Sequence, residues 1–155
     1  MKKYILTALI SFAIIQVVYS KTETEKIANI EKATKEIQNN LGKYLKDEQV
    51  KDSTGNRYVY KDGNELKLIT VYYRDTDANK NVEWYFSNGE FIYTQTIWTD
   101  KTTNKVINSE KCYLKDGQLI AWKNNDKLLD TSSLDFKSTE AALLAYGKKL
   151  IAAEK

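Results

Sequence analysis

From residue 22 onward, the pattern of apolar and polar positions falls into three stretches, helical in period at both ends and strand-like between. Over 22–46, Ile27, Ile30, Thr34, Ile37, Leu41 and Tyr44 recur at steps of three and four among Lys and Glu. That spacing predicts a helix with one apolar stripe. Thr22 and Glu25 stand at capping-box distance at its start. The stripe needs a surface to cover, and three heptads are too few to demand a coiled coil.

Over 57–123 the pattern changes to β-formers interrupted by tight-turn residues. Tyr60-Lys61-Asp62-Gly63, Phe86-Ser87-Asn88-Gly89 and Leu114-Lys115-Asp116-Gly117 form a loose repeat, their glycines 26 and 28 residues apart. Asp-Gly and Asn-Gly between β-formers signal type I′ hairpins, whose two central residues need positive φ. Three hairpins are expected: 57–61 with 65–73, 82–87 with 90–98, and 106–114 with 118–123. Uninterrupted two-residue turns would pair Val59 with Leu66, Tyr85 with Ile92, Trp84 with Tyr93, and Tyr113 with Ile120. One face would then gather Val59, Leu66, Leu68, Tyr85, Tyr113 and Trp122. The other would gather Tyr58, Tyr60, Ile69, Trp84, Phe86, Phe91, Tyr93 and Leu114. Both are apolar near the turns, so alternation does not show which one is covered.

The last periodic stretch, 137–154, predicts a second helix with Ser138 as cap and Leu143, Leu144, Gly147, Leu150 and Ile151 as its stripe. Gly147 costs about 1 kcal/mol of helix propensity, which points to close packing beneath it. Together these stretches predict an α+β fold: an antiparallel meander of about six strands in three hairpins, curled or half-barrel-like, flanked by an N-terminal and a C-terminal helix. No proline and no Gly/Ser-rich stretch interrupts it, so 21–155 reads as a single domain.

Residues 1–20 carry a different signal. Lys2 and Lys3 precede an apolar run from Tyr4 to Tyr19 that ends in Val18-Tyr19-Ser20. This is the pattern of a secretory signal peptide cleaved after Ser20. The run is shorter than the roughly 20 residues a spanning helix needs. The expected workplace is therefore the periplasm or the medium, with no membrane insertion after cleavage. Losing the two leader lysines leaves 22 basic against 21 acidic residues, a net charge of +1. A surface so nearly neutral gives no electrostatic ground for nucleic acid as a partner.

Composition narrows the chemistry. The chain has no His, so Ser-His-Asp and Cys-His pairs cannot form, nor can a His-rich zinc site. No phosphate-binding loop or dinucleotide fingerprint is present, and no cofactor is expected. The single Cys112 cannot make an internal disulfide and reads as a buried, inert thiol. Asp75, Asp77 and Asn79 place oxygen ligands at alternate positions, as calcium loops do. However, Lys80 and Phe86 stand where such a loop needs Gly and a bidentate Glu. Glu83 and Glu110, each in a strand among large apolar neighbours, are the candidate carboxylate pair for glycoside cleavage, while the expected pairing of Glu83 with Thr94 and Glu110 with Lys123 favours ordinary cross-strand partners.

Aromatic residues remain. Beyond the leader the chain holds three Trp and nine Tyr, most of them in the sheet region. Such side chains combine an apolar body with a polar tip, which suits sugar stacking and protein hot spots alike. Tyr58, Tyr60, Trp84, Tyr93 and Trp98 are the candidate ligand-binding residues. The expected function is a non-enzymatic binding module, an inhibitor included, holding a protein or carbohydrate on an aromatic sheet face. A carboxylate-dependent glycoside hydrolase is one alternative. Another is a structural envelope component whose first helix pairs with a second chain through Ile30 and Ile37.

Overall fold

All three predicted hairpins form, two of them at the predicted turn residues, and each carries the same irregularity. The computed structural model describes residues 23–52, 55–74 and 78–154. The leader 1–20, Thr22 of the capping box, and Asp75 and Asp77 lie outside the described residues. The strands are β1 (Leu45–Asp52), β2 (Gly55–Asp62), β3 (Glu65–Arg74), β4 (Ala78–Ser87), β5 (Glu90–Asp100), β6 (Val106–Lys115), β7 (Gln118–Asn124) and β8 (Lys127–Leu128). They pair in chain order as an antiparallel meander of eight, with β1 and β8 at open edges. Helix α1 spans residues 23–39 and α2 spans Leu134–Ala153.

Each predicted hairpin makes two ladder pairs after its turn and then skips one residue. Lys61 pairs Leu66 but Tyr60 pairs Leu68; Phe86 pairs Phe91 but Tyr85 pairs Tyr93; Leu114 pairs Leu119 but Tyr113 pairs Ala121. A bulge moves all later side chains to the opposite face. The uninterrupted pairings of Val59 with Leu66, Tyr85 with Ile92, Trp84 with Tyr93 and Tyr113 with Ile120 are therefore corrected; Val59, for instance, pairs with Ile69. Tyr93 shares a face with Tyr85, and Trp122 lies on the face opposite Tyr113. In the first hairpin the turn also slides one residue. Gly63 has φ +57 with no positive φ at Asn64, so Gly-Asn rather than Asp-Gly makes the corner.

The helices cover opposite faces. Ile30 and Ile37 of α1 pack with Leu68, Tyr85, Ile92, Tyr93, Tyr113 and Ala121. The stripe thus finds its covering surface in the protein's own sheet. On the other side Leu150 of α2 joins Val59, Ile69, Val82, Trp84 and Phe86, while Phe136 joins Cys112, Leu114 and Leu119. Beyond α2, the buried carboxylate of Glu154 pairs with Arg57 at 3.0 Å and Lys61 at 3.1 Å. Those contacts fasten the chain's end to β2.

Element ends depart from the expected ones for local reasons. Helix α1 stops at 39 rather than 46: the Asn40 side chain turns back to donate to the Glu36 carbonyl at 2.9 Å, and Leu41–Lys43 tighten into a 3-10 turn. Leu41 and Tyr44 still reach the core beneath α1, which is why their periodicity looked helical. Residues 45–52 then form an edge strand whose charged side chains conceal it from hydrophobic patterning. β8 follows a turn in which Asn125 (φ 46) and Asp126 (φ 65) both adopt positive φ without any glycine. α2 starts early, at Leu134. Ser133 is its cap, the hydroxyl accepting from the Phe136 amide at 3.1 Å, whereas Ser138 bonds the Asp135 carbonyl inside the helix.

Gly147 packs as its position in the stripe implies: a Cβ there would stand 2.6 Å from the Phe91 ring. Gly147→Val is expected to lower stability by about 1–3 kcal/mol in urea unfolding. Gly42→Ala, where an added Cβ meets nothing within 4 Å, is the neutral control. Cys112 is buried at 5% exposure, and burial, aided by the Glu110 charge, pushes its thiol up to about 12. The folded protein should therefore resist alkylation at neutral pH and react once denatured, as mass spectrometry of iodoacetamide-treated samples will show.

Candidate functional site

Cross-strand register arranges the α1 face of the sheet in rows. The row beneath the helix is Tyr60, Leu68, Tyr85, Tyr93, Tyr113 and Ala121. One step away from the predicted hairpin turns, the next row is Tyr58, Thr70, Glu83, Gln95, Lys111 and Lys123. Beyond it lie Asn56, Tyr72, Asn81, Ile97 and Ser109. The switch from apolar to polar between the first two rows marks where the helix contacts end. Alongside α1 the sheet therefore presents a polar strip of half-buried side chains, Asn81, Glu83 and Gln95 among them.

Tyrosine hydroxyls join the two rows. Tyr85 donates to Glu83 at 2.7 Å and accepts from Gln38 of α1 at 2.7 Å. Tyr93 donates to Gln95 at 2.9 Å, and Tyr113 donates to Glu31 of α1 at 2.9 Å. The Asn81 amide donates to the second Glu83 oxygen at 3.1 Å, and Thr70 donates to the Asn81 carbonyl oxygen at 3.2 Å. Tyr85 and Tyr113 are 1% exposed and Tyr93 6%, so their rings belong to the core and only their hydroxyls serve the polar strip. Burial raises all three phenols well above their ordinary range, with the charges of Glu83 and Glu31 adding to it. They remain protonated donors across the physiological pH range.

The outer end of the strip is aromatic. The rings of Tyr58 and Tyr72 meet edge-on with centroids 6.0 Å apart, and Lys46 Nζ stands 4.1 Å over Tyr58. Asn56 donates to the Tyr58 hydroxyl at 3.2 Å. Asn81, Glu83, Gln95 and Tyr58 are half-buried, and Tyr72 is exposed.

The five aromatics singled out from the sequence divide between the faces. Tyr58 lies in the polar row, Tyr60 sits against the α1 core, and Tyr93 contributes only its hydroxyl. Trp84 is 6% exposed beneath α2, 5.5 Å from the Tyr146 ring. Trp98 is half-buried on that same α2 face, with Lys80 Nζ 5.3 Å from its ring centroid. Sequence reasoning missed Gln38, Thr70, Tyr72, Asn81 and Gln95. A signal for the strand residues was present, since Asn81 and Glu83 alternate with Val82 and Trp84 as a half-solvated strand requires.

The two carboxylates proposed as a catalytic pair do not meet. Glu83 pairs with Gln95 and Glu110 with Thr96, its neighbour in β5, so the sheet stands between them. They cannot flank one glycosidic bond. Of the calcium-like run, Asn79 is a strand residue paired with Arg74 and Thr99. Among the described residues no cluster of three or more Cys, Asp or Glu side chains is placed to hold a metal, and no helix is long and apolar enough to cross a membrane. No protein-family model, curated protein or solved structure matches the chain.

Proposed function

We propose that the protein is a non-enzymatic binding module, parted from residues 1–20 on export, that holds a glycan on the polar strip of sheet beside α1. The observation that carries this reading is the fixed strip Asn81–Glu83–Gln95, in which buried Tyr85 orients Glu83, buried Tyr93 orients Gln95 and buried Thr70 orients Asn81. Sugar hydroxyls both donate and accept, so vicinal pairs fit neighbouring amide and carboxylate groups. Because Thr70, Tyr85 and Tyr93 already hold the strip in place, little side-chain freedom is lost on binding. Tyr58 and Tyr72 add ring surface for the apolar face of a sugar. A protein partner would instead favour an apolar, charge-poor centre with an anchor pocket.

Affinity electrophoresis through gels containing neutral or acidic polysaccharides tests the proposal. At least one polysaccharide should retard the wild type. Asn81→Ala and Gln95→Ala, both half-buried side chains outside the core clusters, should restore free migration while circular dichroism stays unchanged. An unretarded wild type, or variants retarded as strongly as it, would refute the assignment.

A further inference from the structure

On the other flank of α1, toward the hairpin tips, a cleft of about 410 Å³ opens between the helix end and the first two turns. Four charged side chains line it, two of each sign. Glu36 comes from α1 and Asp62 from the end of β2, while Lys43 belongs to the turn after α1 and Lys67 to β3. Lys67 is held by Glu65 at 2.7 Å. Among the described residues, Glu36, Lys43 and Asp62 carry no ion pair. The hydroxyl of Tyr44 lies within the fields of this group: burial raises its pKa, Lys67 opposes that, and Asp62 and Glu36 add to it. Both signs of charge therefore converge on one concave space.

That pattern selects among ligands. A neutral sugar would draw on neither sign of charge. A simple anion would gain from Lys43 and lose against Glu36 and Asp62, and a simple cation would meet the reverse. A molecule with both charges satisfies all of them, and the volume falls in the ordinary range for small-ligand pockets, roughly 300–1,000 Å³. A second cleft of about 180 Å³ shares Ala33 and Ser87 with the first, so a longer chain has somewhere to continue.

We propose that this cleft binds a small zwitterion of the amino-acid or short-peptide class, its carboxylate toward Lys43 and its ammonium toward Asp62 and Glu36. The site is independent of the polar strip on the opposite flank and of whatever binds it. The test is a titration of the protein with glycine, glycylglycine and triglycine, followed in ¹H–¹⁵N correlation spectra. Acetate and methylammonium serve as single-charge controls. Saturable shifts at residues 36, 43 and 62 are expected with at least one zwitterion and not with either control. Lys43→Ala and Asp62→Asn change exposed side chains, so both should fold normally and weaken binding about tenfold or more. No saturable shift, equal shifts with acetate or methylammonium alone, or variants that bind like the wild type would each overturn the proposal.

Discussion

Tyr85→Ala is expected to cost about 3–5 kcal/mol of folding stability, a large part of the roughly 5–15 kcal/mol a domain possesses. Its ring is 1% exposed at the centre of the α1 core, 5.5 Å from Tyr93. Truncation leaves a cavity beneath the helix that a bulged strand has little freedom to close. Tyr85→Phe separates packing from hydrogen bonding. It keeps the ring but removes the hydroxyl that bridges Gln38 and Glu83, for an expected loss of about 1–2 kcal/mol. Urea unfolding of the two variants measures both values. If Tyr85→Ala were nearly neutral, α1 would not be docked on the sheet as described.

The second large effect is an alkaline limit to the fold. Burial raises the thiol of Cys112 from its ordinary 9.0 to about 12, and raises the phenols of Tyr85, Tyr93 and Tyr113 above their ordinary 10.0. A group whose folded pKa lies above its unfolded one gives its full stability below the unfolded value and withdraws it as pH climbs toward the folded one. Stability should thus hold to about pH 9 and then decline, first through Cys112 and from about pH 10 through the tyrosines. Each group withdraws roughly 1.4 kcal/mol per pH unit crossed. All four groups act in the same direction, so the fold is expected to give way in the alkaline range. Circular dichroism and tyrosinate absorbance recorded together should therefore show cooperative unfolding coincide with ionisation of the buried phenols. Smooth ionisation of every tyrosine near pH 10 with the fold intact would contradict the packing.

The sequence made the turns and the helix stripes legible because both rest on local rules. Gly89 and Gly117 adopt the positive φ their I′ turns require, and Ile30 and Ile37 lie on the covered side of α1. The bulges at Lys67, Ile92 and Ile120 were not legible, since nothing in those residue types distinguishes a skipped position from a paired one. That one-residue ambiguity grouped Tyr58, Tyr60 and Tyr93 with Ile69, Trp84 and Leu114, and separated Tyr85 and Tyr113 from Tyr93. The edge strands were hidden for separate reasons: charged side chains in β1, and a turn without glycine before β8.

The polar strip was partly visible. Glu83 stands out in the sequence because it lies in a strand among large apolar neighbours, which leaves both a catalytic carboxylate and an ordinary cross-strand partner open. In the fold it accepts from Tyr85 and Asn81 and forms part of a wider polar strip. Thr70, Asn81 and Gln95 looked like ordinary strand polars, and only the register brings them together. Gln38 could not be assigned at all, because its contact with Tyr85 spans 47 residues.

The central claim is that the α1 side of the sheet, and not the α2 side, carries the ligand. The direct measurement is chemical-shift mapping with an oligosaccharide drawn from whichever polysaccharide retards the protein. The account predicts saturable shifts concentrated at Tyr58, Thr70, Tyr72, Asn81, Glu83 and Gln95. Shifts concentrated instead at Tyr73, Lys80 and Trp98 on the α2 face, or no saturable shifts anywhere, would contradict it.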